Sequence, residues 1–227
     1  MPLSLLSAML VVANAAAEGL SGSVALTNNY LFRGVTQTDK KPAIQGSLEY
    51  GSESGFYAGI WGSNIRWLSD SDPDVSNRVE INGYLGHRGQ FRAGDIGYDI
   101  GAAYFWYPGH YPSGFNNPDT IELYAGIGYK ILSAKYYYSP TDFYGLDDSK
   151  GSSALEAGLN WEFQPSWALL AQAGRQWARH HSNESYAYWK LGGARHFENG
   201  FSVEAAYHDT DLDGIESAVT LTITKSF

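Results

Sequence analysis

The chain has 227 residues, no cysteine and a formal net charge of -9, with 17% charged and 15% aromatic residues. The lack of cysteine excludes disulfides and thiolate metal sites. The lack of any basic run argues against nucleic acid as a partner, because neutralising phosphates needs clustered Lys and Arg.

The first predicted element is a leader. Leu3 to Val12 is an apolar run of the length of a signal-peptide core. The small-residue patterns Ala13-Asn14-Ala15 and Ala15-Ala16-Ala17 follow it, although no Lys or Arg precedes it. We place cleavage after Ala17, which divides the chain into a signal peptide over 1–17 and one domain over 18–227. The run is too short for a transmembrane helix, which needs about 20 apolar residues.

From Leu20 onward the dominant period is two, which predicts about twelve strand segments. They run over 20–32, 42–50, 55–64, 78–87, 96–106, 119–129, 131–139, 153–163, 167–176, 186–194, 201–208 and 217–227. In "TIELYAGIGY", Ile121, Leu123, Ala125, Ile127 and Tyr129 share one face, while Glu122, Tyr124, Gly126 and Gly128 share the other. Such alternation predicts antiparallel strands with two different environments. Short turns, at 51–55, 88–95, Lys130, 164–166 and 197–200, alternate with long connections at 33–41, 65–77, 107–118, 140–152, 177–185 and 209–216. Short turns at one rim and long loops at the other are the pattern of an outer-membrane barrel with both termini on the periplasmic side.

Aromatic residues cluster at strand ends: Tyr30 and Phe32, Phe56 and Tyr57, Tyr104 to Tyr107, Tyr136 to Tyr138, Trp161, Phe163, Trp167, Trp177 and Trp189. This predicts two interfacial girdles. A charge on the lipid side near the midplane costs up to several kcal/mol. The polar parity must therefore face a lumen or sit at a rim. It includes Glu49, Arg78, Glu80, Asn82, Tyr84, Asp99, Glu122, Tyr124, Lys135, Tyr137, Glu156, Asn160, Gln172, Lys190 and Glu204. Glu80, Glu122, Lys135, Glu156 and Lys190, with Tyr84 and Tyr124, are the candidate lumen-lining residues. Twelve strands lie between a filled eight-stranded barrel and an open sixteen-stranded one, so size alone does not settle whether a path is open.

Several stretches resemble the TorF family of porin-like outer-membrane proteins. They are "SVALTNNYLFRGVTQTDKKPAIQGSLEY" near the start, "GYDIGAAYFWYPG" (97–109), "DTIELYAGIGYKILSAKYYYS" (119–139) and "YWKLGGARHFENGFSVEAAYHDTD" (188–211). The resemblance covers the mature chain and includes the Arg33-Gly34 pair, the Tyr107-Pro108-Gly109 corner and Glu122-x-Tyr124. It implies an outer-membrane barrel and suggests a diffusion channel for small polar solutes. It brings no catalytic residues.

Three constellations could carry other chemistry. Asp209, Asp211, Asp213 and Gly214 match the first half of a calcium loop, but its twelfth position is Thr220, where a bidentate Glu is needed. Asp70, Asp72 and Asp74 form a second acidic loop without the glycine. Together the two loops would make the outer mouth negative and favour cations, or bridge through divalent ions to lipopolysaccharide phosphates. His180 and Ser182, two apart, have the spacing of an outer-membrane lipid hydrolase, yet they fall in a loop with no oxyanion hole in view. His110 sits in another such loop. No Gly-rich phosphate loop or H-E-x-x-H motif occurs.

The chain closes on "AVTLTITKSF". Val219, Leu221, Ile223 and Phe227 fall on one parity, and Thr220, Thr222, Thr224 and Ser226 on the other. It reads as the last barrel strand, closing against the first near Ser21–Tyr30. Phe227 would serve as the aromatic signal read by the barrel assembly machinery. Lys225 falls on the apolar parity and would snorkel to headgroups. The reading is therefore all-β: one antiparallel transmembrane barrel, not an enzyme, without a cofactor beyond a candidate Ca2+ at the outer loop. Its expected partners are outer-membrane lipid, lipopolysaccharide, the assembly machinery and small hydrophilic solutes crossing a narrow mixed-charge lumen. The rivals are a closed barrel with an ion-paired interior and, further off, a lipid hydrolase.

Overall fold

An alternating strand exposes one polar and one apolar face, and its edges carry unpaired backbone groups. Closing the sheet removes the edges, and that is what this chain does. The computed structural model describes residues 18–91 and 96–227. The leader expected over 1–17 and part of the turn at 88–95 lie outside these residues. The elements are β1 (Gly19–Thr27), β2 (Leu31–Phe32), β3 (Val35–Thr36), β4 (Ala43–Gly51), β5 (Phe56–Asn64), α1 (Trp67–Ser71), β6 (Val79–Gln90), β7 (Ile96–Trp106), β8 (Thr120–Tyr129), β9 (Leu132–Tyr138), β10 (Ser153–Gln164), β11 (Trp167–Trp177), β12 (Tyr186–His196), β13 (Phe201–Thr210) and β14 (Ala218–Ser226). Twelve of the strands form one closed antiparallel barrel in the order β1-β14-β13-β12-β11-β10-β9-β8-β7-β6-β5-β4.

The seam joins the two ends of the chain. Ser23 to Thr27 of β1 pair with Ser226 to Thr222 of β14. Gly22 and Phe227 then exchange both backbone hydrogen bonds, each at 3.0 Å. Both ends of the barrel domain therefore lie at the rim with the short turns.

The outer surface is an apolar belt. Leu26, Ile44, Ile60, Leu85, Ile100, Leu123, Leu191 and Leu221 are all exposed. Tyr104, Trp106, Tyr138, Trp177 and Trp189 ring it on the long-loop side, and Phe56, Tyr129, Trp161, Phe163, Trp167 and Phe201 on the short-turn side. A belt this continuous far exceeds the patches a water-soluble monomer exposes. An apolar belt flanked by aromatic rings is the outer-surface pattern of transmembrane barrels. Five aromatics assigned to the girdles from sequence point inward instead, as does Tyr137, which the polar parity also placed in the lumen. Tyr30, Tyr57, Phe105 and Tyr107 are buried, Phe32 packs against their cluster, and Tyr137 lies beside an interior carboxylate.

The largest departure from the sequence reading is at the start. The segment 20–32 is not one strand. β1 ends at Thr27, and the chain turns into the barrel as a small hairpin, with Leu31 opposite Thr36 and Phe32 opposite Val35. The two residues at its tip, Arg33 and Gly34, both have positive φ, 49° and 83°. That is a type I′ turn, whose twist matches a tight hairpin. Further long loops fold over the same mouth. Tyr30, Trp61, Ile65, Leu68, Val75, Phe105 and Tyr107 form a buried cluster there, joined by Phe32, Trp67 and Tyr144. The acidic stretch after Arg66 includes a short helix, α1, whose Leu68 enters this cluster.

These two environments predict opposite sensitivities on neighbouring residues of β14. Leu221→Arg, on the belt, should destabilise the barrel by about 2–4 kcal/mol. Thr222→Ser, on the inner face, should change stability by less than about 0.5 kcal/mol. Urea unfolding from lipid vesicles measures both.

Candidate functional site

The interior is built in layers. Four inward tyrosines lie opposite glycines on the next strand: Tyr57 opposite Gly86 and Tyr84 opposite Gly59, Tyr124 opposite Gly101, and Tyr188 opposite Gly174. A Cβ at any of these glycines would collide with the facing tyrosine. The glycines are therefore sockets in which the rings lie flat along the wall.

Three interior cations stack on rings, and a carboxylate holds each cation. The Arg88 guanidinium lies 3.8 Å from the Tyr57 ring centre and pairs with Glu49 at 2.6 Å. Lys135 Nζ lies 3.9 Å from the Tyr124 ring centre and pairs with Asp99 at 3.1 Å. Arg33, at the hairpin tip, lies 4.7 Å from the ring centres of Tyr137 and Phe32. It donates from Nη1 and Nη2 to the two oxygens of Glu122 at 2.8 and 2.9 Å. A fourth pair, Lys190 with Glu204 at 3.0 Å, has no stacked ring among the described residues.

The hairpin crosses the interior. It leaves the wall at β1, its Arg33 reaches Glu122 on β8 and Gln176 on β11, and Gly34 approaches Tyr188 on β12 and Thr210 of β13. At this level the wall carboxylates are buried: Glu122 is 2% exposed and Glu80 1%. Nearer the short-turn rim the pairs are more open, with the Arg88 side chain 30% exposed and that of Glu204 22%.

Glu80, Glu122, Lys135, Glu156, Lys190, Tyr84 and Tyr124 all stand on the inward parity, but in different company. Glu80 has no basic group within 4.0 Å among the described residues. It accepts from Asn82 Nδ2 at 2.7 Å and from the Tyr30 hydroxyl of the inserted loop at 3.3 Å. Glu156 accepts from the hydroxyls of Tyr137 and Tyr188 at 3.1 and 2.6 Å. Arg78 lies just before β6 and is exposed. Sequence reasoning missed Arg33 as a site residue, because its part in the interior depends on where the hairpin lands. The one local signal was an Arg-Gly pair between Phe32 and Val35, which fits a two-residue turn.

The other constellations are not drawn together. Asp209 Oδ1 accepts from the Thr210 backbone N–H at 2.9 Å, and Asp211 Oδ1 from that of Ala187 at 2.6 Å. Among the described residues no group of three or more His, Asp or Glu is placed to hold a metal ion. Asp70 pairs with Arg66 at 3.2 Å, and Asp72 caps the Asp74 N–H. His180 Nδ1 lies 3.0 Å from Asp148, and no hydrogen bond joins it to Ser182 among the described residues. Lys40 bonds Glu216 across two loops; that hydrogen bond lowers the pKa of the Glu216 carboxyl below its ordinary value.

Removing one member of a buried pair leaves an uncompensated charge. Arg33→Ala should therefore destabilise the hairpin by about 3–5 kcal/mol. Limited proteolysis should then cut within 28–42 in the variant and not in the parent. Arg33→Ala with Glu122→Gln should restore most of the protection.

No curated protein sequence matches the chain significantly. Among solved structures, the fold is similar to that of the KdgM porin, with TM-score 0.59 and 9% identity over 91% of this chain and 99% of that one. A structure of KdgM porin in complex with disordered oligogalacturonate gives TM-score 0.58 and 7% identity over 92% and 98%. NanC porin gives TM-score 0.51 and 10% identity over 91% and 98%. At such identities these likenesses concern the fold. The TorF name attached to the sequence resemblance is not the one borne by the matching family model. That model, described as "Bacterial protein of unknown function (Gcw_chp)", matches residues 12–226, and the chain belongs to this family.

Proposed function

We propose that the protein is an outer-membrane channel for small hydrophilic solutes, with a narrow mixed-charge lumen that the Leu31–Thr36 hairpin constricts. The observation that carries this reading is the charged interior. Buried ion pairs are a poor stability device, because apolar filling of the same volume is usually at least as stable. A barrel needed only as a closed pillar would gain nothing from four interior cations and six interior carboxylates. A polar lining suits a path for water and polar solutes. The similarity of fold to KdgM and NanC porins supports the same reading.

The charge balance favours cations and neutral solutes. Glu49, Glu80, Asp99, Glu122, Glu156 and Glu204 outnumber Arg33, Arg88, Lys135 and Lys190, and the long-loop mouth carries Asp70, Asp72, Asp74, Asp209, Asp211 and Asp213. An anionic oligosaccharide such as the oligogalacturonate in the KdgM complex is not the solute this lining suits. In this reading the leader directs export, the short turns and both ends of the barrel domain face the periplasm, and Phe227 serves assembly. Lipid hydrolysis through Ser182 has no supporting geometry.

A second reading, a closed barrel for binding or envelope integrity, is favoured by one observation: each of the four interior cations is already paired. Planar-bilayer recording separates the two. The channel reading expects discrete conductance steps and, under a tenfold KCl gradient, a reversal potential displaced toward the cation Nernst potential. Replacing residues 31–36 by a Gly-Ser linker should enlarge the steps. Silence from both proteins would establish the closed barrel in its place.

A further inference from the structure

We infer that the outer face of β11–β14 at the short-turn rim is a binding site for the phosphodiester headgroup of an anionic phospholipid, with Arg195 and Lys225 as its two cations. The inference rests on the bilayer placement proposed above and not on conduction. The residues form one continuous band. Trp167 lies opposite Arg195 across β11 and β12. Phe197 follows β12, and its N–H bonds the Phe201 carbonyl at 2.8 Å. Phe201 lies opposite Lys225 across β13 and β14, and Phe227 follows at the seam.

The cations of this band are held by rings rather than by carboxylates. The Arg195 guanidinium lies 5.1 Å from the Trp167 ring centre and 4.9 Å from that of Phe197. Lys225 Nζ lies 5.2 Å from the Phe201 ring centre and also donates to the backbone carbonyl of Asn199 in the adjoining turn. Among the described residues neither cation has a carboxylate within 4.0 Å, although Glu198 lies in the intervening turn. Arg78, Arg175, Arg179 and Lys130 also lack a carboxylate within 4.0 Å among the described residues. Lys130 lies 5.0 Å from the Tyr129 ring centre at another short turn, but only Arg195 and Lys225 share one continuous band. The four interior cations are all paired, and on the long-loop side Lys40 and Lys41 bond Glu216 and Asp39.

Two unpaired cations at the border of an apolar belt face the depth at which lipid phosphates lie. Aromatic faces fix the side chains at that depth and cost no counter-charge. A guanidinium presents a fork that matches two phosphate oxygens. Anionic headgroups attract such residues and release them as salt screens the charge. The exposed rings, each 40% or more accessible, would rest against the glycerol and upper acyl region of the same lipid.

The test is thermal unfolding of the full chain in nanodiscs of phosphatidylcholine alone and of phosphatidylcholine with phosphatidylglycerol. The wild type should melt about 4–8 °C higher with phosphatidylglycerol, and 1 M NaCl should abolish the gain. Arg195→Gln with Lys225→Gln should lose the gain while keeping its melting temperature in phosphatidylcholine. Arg195→Lys with Lys225→Arg should retain it, which guards against a double variant that folds poorly. Equal melting of the wild type in the two lipids, or a gain unaffected by both salt and the Gln substitutions, overturns the assignment. Failure to enter either nanodisc removes the bilayer placement, and this site with it.

Discussion

The Arg33–Glu122 pair is the contact on which the interior depends. It forms where water is excluded, so each partner needs the other: alone, either would be a buried charge with nothing to offset its lost hydration. The pair therefore fixes where the hairpin tip rests. Once the tip is placed, Phe32 and Tyr30 enter the aromatic cluster at the mouth, and the Tyr30 hydroxyl reaches Glu80. The inserted loop is thus tied to the wall at two heights by polar contacts and between them by apolar packing.

The wall itself is prepared for these contacts. A tyrosine standing upright from a strand would take space from the lumen. A glycine on the next strand lets the ring lie flat, and the flat ring offers its face to a cation. Tyr57 and Tyr124 combine both features, each opposite a glycine and each holding a stacked cation that a carboxylate neutralises. The stacking also separates the two halves of the barrel. β4–β9 carry the tyrosines that hold stacked cations, whereas β13, β14 and β1 present mostly small and hydroxyl-bearing side chains such as Ser202, Thr222, Thr224 and Ser23.

Two kinds of cation site emerge from the same chemistry. Inside, each cation has a carboxylate as counter-charge. Outside, at the short-turn rim, Arg195 lies on aromatic faces and Lys225 on one ring and the Asn199 carbonyl, with no carboxylate within 4.0 Å of either among the described residues. The difference follows from surroundings. The interior must neutralise its own charges, whereas in the bilayer placement proposed above the rim borrows the negative charge of the lipid surface.

The sequence by itself determined the barrel. Strict period-two alternation and the succession of short and long connections leave few other ways to satisfy both faces and remove the edges. It also determined the face of the mid-strand charges, because parity is local: Glu80, Glu122, Lys135, Glu156 and Lys190 are assigned inward by their neighbours alone. Only the tertiary structure decided what those residues meet. The I′ turn at Arg33-Gly34 is a local feature, yet its partners lie on β8, β11 and β12, far away in the chain, and no periodicity encodes that meeting. The same limit misplaced Tyr30, Phe32 and Tyr57 in the girdles. An aromatic at a strand end satisfies the pattern on either face, and only closure of the barrel and insertion of the loop decide whether it meets lipid or the interior.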